Sequence, residues 1–373
     1  MNYSARWRRL QSAMQRERLD GIVYGSGANF QYLSGLQQTW QREHEPAEPD
    51  CLLALTASQP PLVVCRRYPG VNPANLRIEA AASLQEAVAL LRNYLNGQRV
   101  GVSSQAAAYL SELVGQALPG AVCPVAEEMG AELRQVKDAD EVERIRKVVN
   151  LTDRVMAQVL PLIRPGITQP ELQQQIAQAG LALGAQDVSF TPAALYVKSG
   201  TTPTAEPFVY PQDQGLVPGT SIALDFGFVL DGYCSDFGRS FYCGPAPEHI
   251  SGAYRTLQAG QCHLISQLRP GMRISQLYGI LEAFLDEHGY GDRLRARLPD
   301  GTLGHQIGVG LHEDPWLRPT SERQLQPGMV MAIEPKLWFP GEYYLRVEDI
   351  VVITENGAEA LTKFDRETFE LPL

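Results

Sequence analysis
The chain has 373 residues, 44% of them apolar and 20% charged, an ordinary balance for a soluble globular protein and enough length for two domains. A formal net charge of −10 argues against non-specific binding to DNA or RNA, which needs a basic footprint. No run reaches the roughly 18 uninterrupted apolar residues of a spanning helix, so neither a membrane nor a nucleic acid is expected as a partner. Six cysteines (Cys51, Cys65, Cys123, Cys234, Cys243 and Cys262) include no Cys-x-x-Cys. They read as reduced and structural, and the cytoplasm is the expected compartment.

The opening MNYSARWRRLQSAMQRERLDG carries charges where an export signal needs an apolar centre, and it reads as an amphipathic helix. Up to about residue 135, short strand-like runs (DGIVYGS, CLLALTA, PLVVCRR, VGVSS) alternate with helical ones (AAASLQEAVALLRNYL, AAAYLSELVGQAL), the rhythm of an α/β domain. Between them lies the polar arm QQTWQREHEPAEPD, residues 37–50, either a surface loop or a functional arm. A second domain, 136–373, starts with KDADEVERIRKVVNLTDRVMAQVLPLI, where an Asp N-cap precedes apolar residues at helical spacing. A second helix follows with Pro170 in its first turn. The remaining helices lie between β-rich pieces, an α+β layout.

Ser221–Gly244 reads as a β-hairpin turning near Asp231-Gly232. A register centred between Leu230 and Asp231 would set Asp225 directly opposite Asp236. Cross-strand neighbours sit about 4.5–5.5 Å apart, and two carboxylates that close require a proton or a cation. The closing segment repeats the pattern: a register centred on Gly341 sets Glu334 opposite Glu348. Ion pairing with Arg346 is the competing explanation for Glu348, and Lys336 is the one basic residue near Glu334 in sequence. Between the acidic pairs, GHQIGVGLHE carries His305 and His312 among glycines that permit close backbone approach. Asp225, Asp236, Glu334, Glu348 and His305 form an oxygen-rich donor set suited to two divalent ions (Mn²⁺, Co²⁺, Fe²⁺ or Zn²⁺). Their four negative charges match two dications.

The pieces ALDFGFVLDGYCSDFGRSF, GHQIGVGLHEDP, GMVMAIEP and LRVEDIVVIT resemble the pita-bread metallopeptidases of family M24: methionine aminopeptidase, aminopeptidase P and prolidase, with creatinase as a non-peptidase relative. DGIVYGSGANFQYLSG resembles the smaller N-terminal domain of the prolidase, aminopeptidase P and creatinase branch. The resemblance implies a creatinase/prolidase-like α/β domain over 1–135 and, over 136–373, an α+β pita-bread domain with a curved antiparallel sheet. It implies that Asp225 binds one ion, that Asp236 and Glu348 bridge, and that His305 and Glu334 bind the other. Glu334 would also move the proton of the attacking water. His312 would contact substrate, Arg346 would orient Glu348, and Trp316 would line the pocket.

One departure stands out. Family peptidases have a histidine in the loop before the first Asp ligand, but here that loop reads SGTTPTAEPFVYP, with Glu206 near the expected place. The dimer of this branch brings the small domain of one subunit near the other's active site, so the arm with Trp40, Arg42, His44 and Glu45 is a candidate for the missing contact. The expected function is a dinuclear hydrolase of Xaa-Pro peptides, dipeptidase or aminopeptidase, working as a homodimer. The alternative is a metal-dependent hydrolase or lyase of a small non-peptide metabolite.

Overall fold
In the computed structural model, residues 1–37, 46–198, 210–294, 302–339 and 342–373 are described. The chain divides into two units, Met1–Arg134 and Gln135–Leu373. The first contains α1 (Tyr3–Arg16), β1 (Gly21–Gly25), α2 (Ala28–Ser34), β2 (Cys51–Thr56), β3 (Leu62–Cys65), β4 (Arg77–Ala80), α3 (Leu84–Tyr94), β5 (Val100–Val102), α4 (Ala107–Ala117) and α5 (Glu127–Arg134). Its strands form one sheet in the order β4-β3-β2-β1-β5. The sheet is mixed, because β1 pairs antiparallel with β2 but parallel with β5. Apolar strand residues such as Val23, Leu52 and Leu62 pack against Leu91 of α3 and Leu110 of α4, so burial of one helix stripe and one sheet face builds the core.

This unit corrects one expectation. Cys51 and Cys65 are not reduced thiols but a disulfide. The reason is register: they are direct cross-strand partners of β2 and β3, with Cα atoms 4.1 Å apart, a relation that their spacing of 14 residues did not reveal. Cys123, Cys234, Cys243 and Cys262 are free. No helix among the described residues is long and apolar enough to cross a membrane.

The second unit opens with two capped helices. Asp138 and Glu141 form a reciprocal capping box at α6 (Ala139–Val159). Thr168 and Glu171 do the same at α7 (Gln169–Ala182), with Pro170 in its first turn. There follow β6 (Asp187–Val188), β7 (Ala193–Lys198), β8 (Thr220–Phe226), β9 (Phe228–Leu230), β10 (Tyr233–Cys234) and β11 (Phe237–Cys243). After α8 (Glu248–Gln267) and α9 (Ser275–Glu287) come β12 (Gly304–Gln306), β13 (Val330–Ile333), β14 (Lys336–Phe339), β15 (Tyr343–Arg346), β16 (Asp349–Ile353), β17 (Ala358–Ala360) and β18 (Glu370–Leu371).

The described strands of this unit form four sheets, β10-β9-β6, β18-β11-β8-β7, β12-β13-β16-β17 and β14-β15. Their pairings are antiparallel except β11 with β18, so this part is mixed rather than purely antiparallel. Two cores hold it. Val155 and Leu172 of α6 and α7 pack on Ile222, Leu224 and Phe241, while Leu257 and Leu281 of α8 and α9 pack on Met331, Leu345 and Val351. Each core therefore backs one of the two acidic hairpins.

Candidate metal centre
The first hairpin turns through Asp231 and Gly232, with left-handed φ values of 50° and 77°, the backbone a two-residue hairpin loop demands. Leu230 thus pairs with Tyr233, and Asp225 faces Gly238 rather than Asp236. The expected register is off by one residue at the turn, which moves each partner by two. Because side chains alternate with period two, both acids remain on one face. The altered register also leaves a glycine opposite Asp225. A Cβ on Gly238 would lie 2.7 Å from Glu348 Oε2 and within contact of Arg346, so the absent side chain is what admits both groups.

The second hairpin keeps the expected register: Ile333 pairs with Asp349 and Lys336 with Arg346, so Glu334 and Glu348 occupy facing positions in the gap between two ladders. The hairpins meet where the Glu348 N–H donates to Gly238 O at 2.9 Å. His305 enters from β12, opposite Ala332, and the Glu334 N–H is held by Leu303 O at 2.8 Å.

Ligand-type oxygens of Asp225, Asp236 and Glu348 lie within 4.8 Å of one another. His305 Nε2 stands 3.5 Å from Asp236 Oδ2 and 4.0 Å from Glu334 Oε1. Those spacings exceed a good hydrogen bond but suit two donors sharing an ion at about 2.0–2.2 Å from each. Glu348 is wholly buried, and neither of its oxygens has a hydrogen-bond partner. Its neighbour Asp349, on the opposite face, is neutralised by Arg239 at 2.7 Å and Arg366 at 2.6 Å. A buried carboxylate without donors is costly, and the contrast between these adjacent acids marks Glu348 as the one whose partner is a cation. The donor set therefore fits a divalent metal.

The electrostatics agree. Burial, then the charges of Asp236, Glu334 and Asp225, push the Glu348 carboxyl well above its usual range. Burial, then Asp225 and Glu334, do the same to Asp236. Burial holds His305 below the ordinary imidazole value, keeping the ring in the neutral form that ligates metals. Its Nδ1 lies 2.9 Å from the Gln306 carbonyl, the contact that presents Nε2 to the acids. Burial also opposes ionisation of Glu334, but Lys336, Arg346 and His305 outweigh it and hold that carboxyl below its usual range.

Of the flanking residues, His312 packs edge-on to His305 with ring centroids 4.4 Å apart, and Trp316 lies 5.4 Å from His305 and 5.1 Å from His312. Arg346 contacts Asp225 directly and stands 3.6 Å from Glu348 Oε2, so its nearer partner is Asp225. His44 and Glu206 lie outside the described residues.

Two lysines go beyond what the motifs pointed to. Lys336 Nζ is buried 2.5 Å from Glu334 Oε2; its adjacency to Glu334 was the available signal. Lys137 Nζ pairs with Glu313 at 3.1 Å and bonds Gln306 at 2.8 Å. Glu313 also accepts from the Gly310 N–H at 3.0 Å, which braces the turn carrying His305 and His312. No local pattern around Lys137 reports that contact.

The profile of metallopeptidase family M24 matches residues 143–355, and that of the creatinase/prolidase N-terminal domain matches 6–136. The "Probable dipeptidase PepE" of Mycobacterium tuberculosis is 30% identical over 368 residues, covering 95% of this chain and 93% of that protein. The dipeptidase PepE structure from Mycobacterium ulcerans is 27% identical, with TM-score 0.76 over 100% of this chain and 98% of its own. A Xaa-Pro dipeptidase structure from Bacillus anthracis has TM-score 0.84 at 22% identity, over 99% and 100% of the two chains, a likeness of fold. A paired acidic site on this two-domain scaffold, with the family profile spanning most of the second unit, makes the chain a metallopeptidase-type hydrolase of family M24.

Proposed function
We propose that the chain hydrolyses Xaa-Pro dipeptides or short Xaa-Pro peptides at a metal centre built on Asp225, Asp236 and Glu348, with His305 and Glu334 able to hold a second ion. The observation that carries this is Glu348: wholly buried, with both oxygens lacking a hydrogen bond, beside two further carboxylates. The likeness to a probable dipeptidase and to a Xaa-Pro dipeptidase supports the substrate class. Bound divalent ions would polarise the scissile carbonyl and acidify water. Glu334, kept ionised by Lys336 and Arg346, is the proton acceptor that can relay to the leaving nitrogen. His312, edge-on to His305 and exposed, supplies a donor for the developing oxyanion. The reading includes a homodimer. The loop without its histidine favours the second reading, a small non-peptide substrate at the same centre.

The test is a hydrolysis assay of protein reconstituted with Mn²⁺, Co²⁺ or Zn²⁺ on Xaa-Pro dipeptides, longer Xaa-Pro peptides and dipeptides without proline. Cleavage confined to Xaa-Pro substrates and abolished by EDTA is expected. Metal-loaded protein inert toward every peptide would transfer the weight to a non-peptide substrate.

A further inference from the structure
Lys336 changes the charge balance of the centre. It opens β14 directly opposite Arg346 of β15, and each lies two residues from a facing acid, Glu334 and Glu348, so the four side chains share one face. Like charges directly opposite each other repel. Both cations are nonetheless buried, 4% and 5% exposed, and both are turned onto the carboxylates. Lys336 contacts Glu334 at 2.5 Å, and Arg346 reaches Asp225 while standing 3.7 Å from Glu334. Four carboxylates carry −4 and these two side chains return +2. What remains is −2, which one divalent cation neutralises.

Resting on the metal-hydrolase reading above, we infer that Lys336 acts as a built-in cation in place of the second metal: the centre holds one tightly bound divalent ion at Asp225, Asp236 and Glu348, while the ammonium on Glu334 weakens binding at the His305–Glu334 position. The ion and the ammonium compete for one carboxylate, and a second dication would leave an excess of positive charge among mostly buried groups, where screening is weak.

The experiment is equilibrium dialysis of the full chain against Mn²⁺ from 1 µM to about 5 mM, read as metal per chain by elemental analysis and as Mn²⁺ electron paramagnetic resonance. Wild type should take up one ion with the six-line spectrum of an isolated ion, and a second only at the top of the range. Lys336→Met should bind two, its second ion tighter by about 100-fold or more once a charge next to that seat is gone, with the spectrum of a coupled pair. Lys336→Arg should keep the wild-type stoichiometry. Two tight ions in wild type, or a second-site affinity that Lys336→Met leaves unchanged, overturns the inference while leaving the metal-hydrolase reading intact. No bound ion in wild type overturns both. The wild-type arm decides even if Lys336→Met does not fold.

Discussion
Gly238 carries no ligand atom, yet it should control the centre. It lies in β11 opposite Asp225, and a Cβ there would stand 2.7 Å from Glu348 Oε2 and 2.9 Å from Arg346 Cγ. Both distances are well inside van der Waals contact, and neither neighbour has free space, since Glu348 and Arg346 are buried. Its φ is not in the left-handed region, so Gly238→Ala brings no backbone strain and recovers about 0.5–1 kcal/mol of the entropy a strand glycine forfeits. Overpacking of a filled interior costs about 1–3 kcal/mol. The expected net is a loss of up to about 2.5 kcal/mol and, because Glu348 and Arg346 must both give way, metal affinity weaker by roughly 10–100-fold. The assay is competition for Mn²⁺ against a chromophoric chelator, with thermal melts of the EDTA-treated protein alongside. Gly279→Ala is the control, since it lies in α9 with open space around the added methyl and should be neutral or stabilising by up to about 1 kcal/mol. Affinity and melting temperature of Gly238→Ala indistinguishable from wild type would refute the steric argument.

Asp236→Asn should remove metal and peptidase activity together, and tight metal binding by that variant would contradict its role as a ligand. The raised Asp236 and Glu348 carboxyls give the EDTA-treated protein a definite pH dependence. The folded state holds their protons more tightly than the unfolded one, so the contribution of these two groups is fully present below the ordinary carboxylate range and is lost as pH rises from there toward the raised values, opposite in sign to that of Glu334, whose carboxyl is held low; wild type should therefore lose melting temperature relative to Glu348→Gln over that interval, and a constant difference would contradict it. Lys137→Met strands Glu313 without its ammonium partner and should cost about 3–5 kcal/mol in a urea titration; a loss under 1 kcal/mol would show that the pair does not brace the turn. Denatured, unreduced protein should titrate four thiols rather than six, and reducing the Cys51–Cys65 loop of 14 residues should destabilise the first unit by about 3 kcal/mol.

What could be read in advance follows the range of the interactions. Element types were legible because they depend on neighbours: an Asp N-cap announces α6 and Pro170 the first turn of α7. The β13–β16 register was legible from one symmetric pattern around its turn, whereas the β8–β11 register was misread because the two-residue loop runs through Asp231-Gly232, one position later. The Cys51–Cys65 bond and the Lys137–Glu313 pair join residues that only the fold brings together. The burial of the two cations at the centre was the least legible feature. Counting acids alone gives −4; the sequence offers Arg346 as a partner for Glu348 and Lys336 as a neighbour of Glu334, but that count includes neither. Once β14 and β15 pair, both are buried and face the acids, and an ion that binds there must do so against two fixed positive charges. On the inference above, the number of metals depends as much on these two cations as on the five donors.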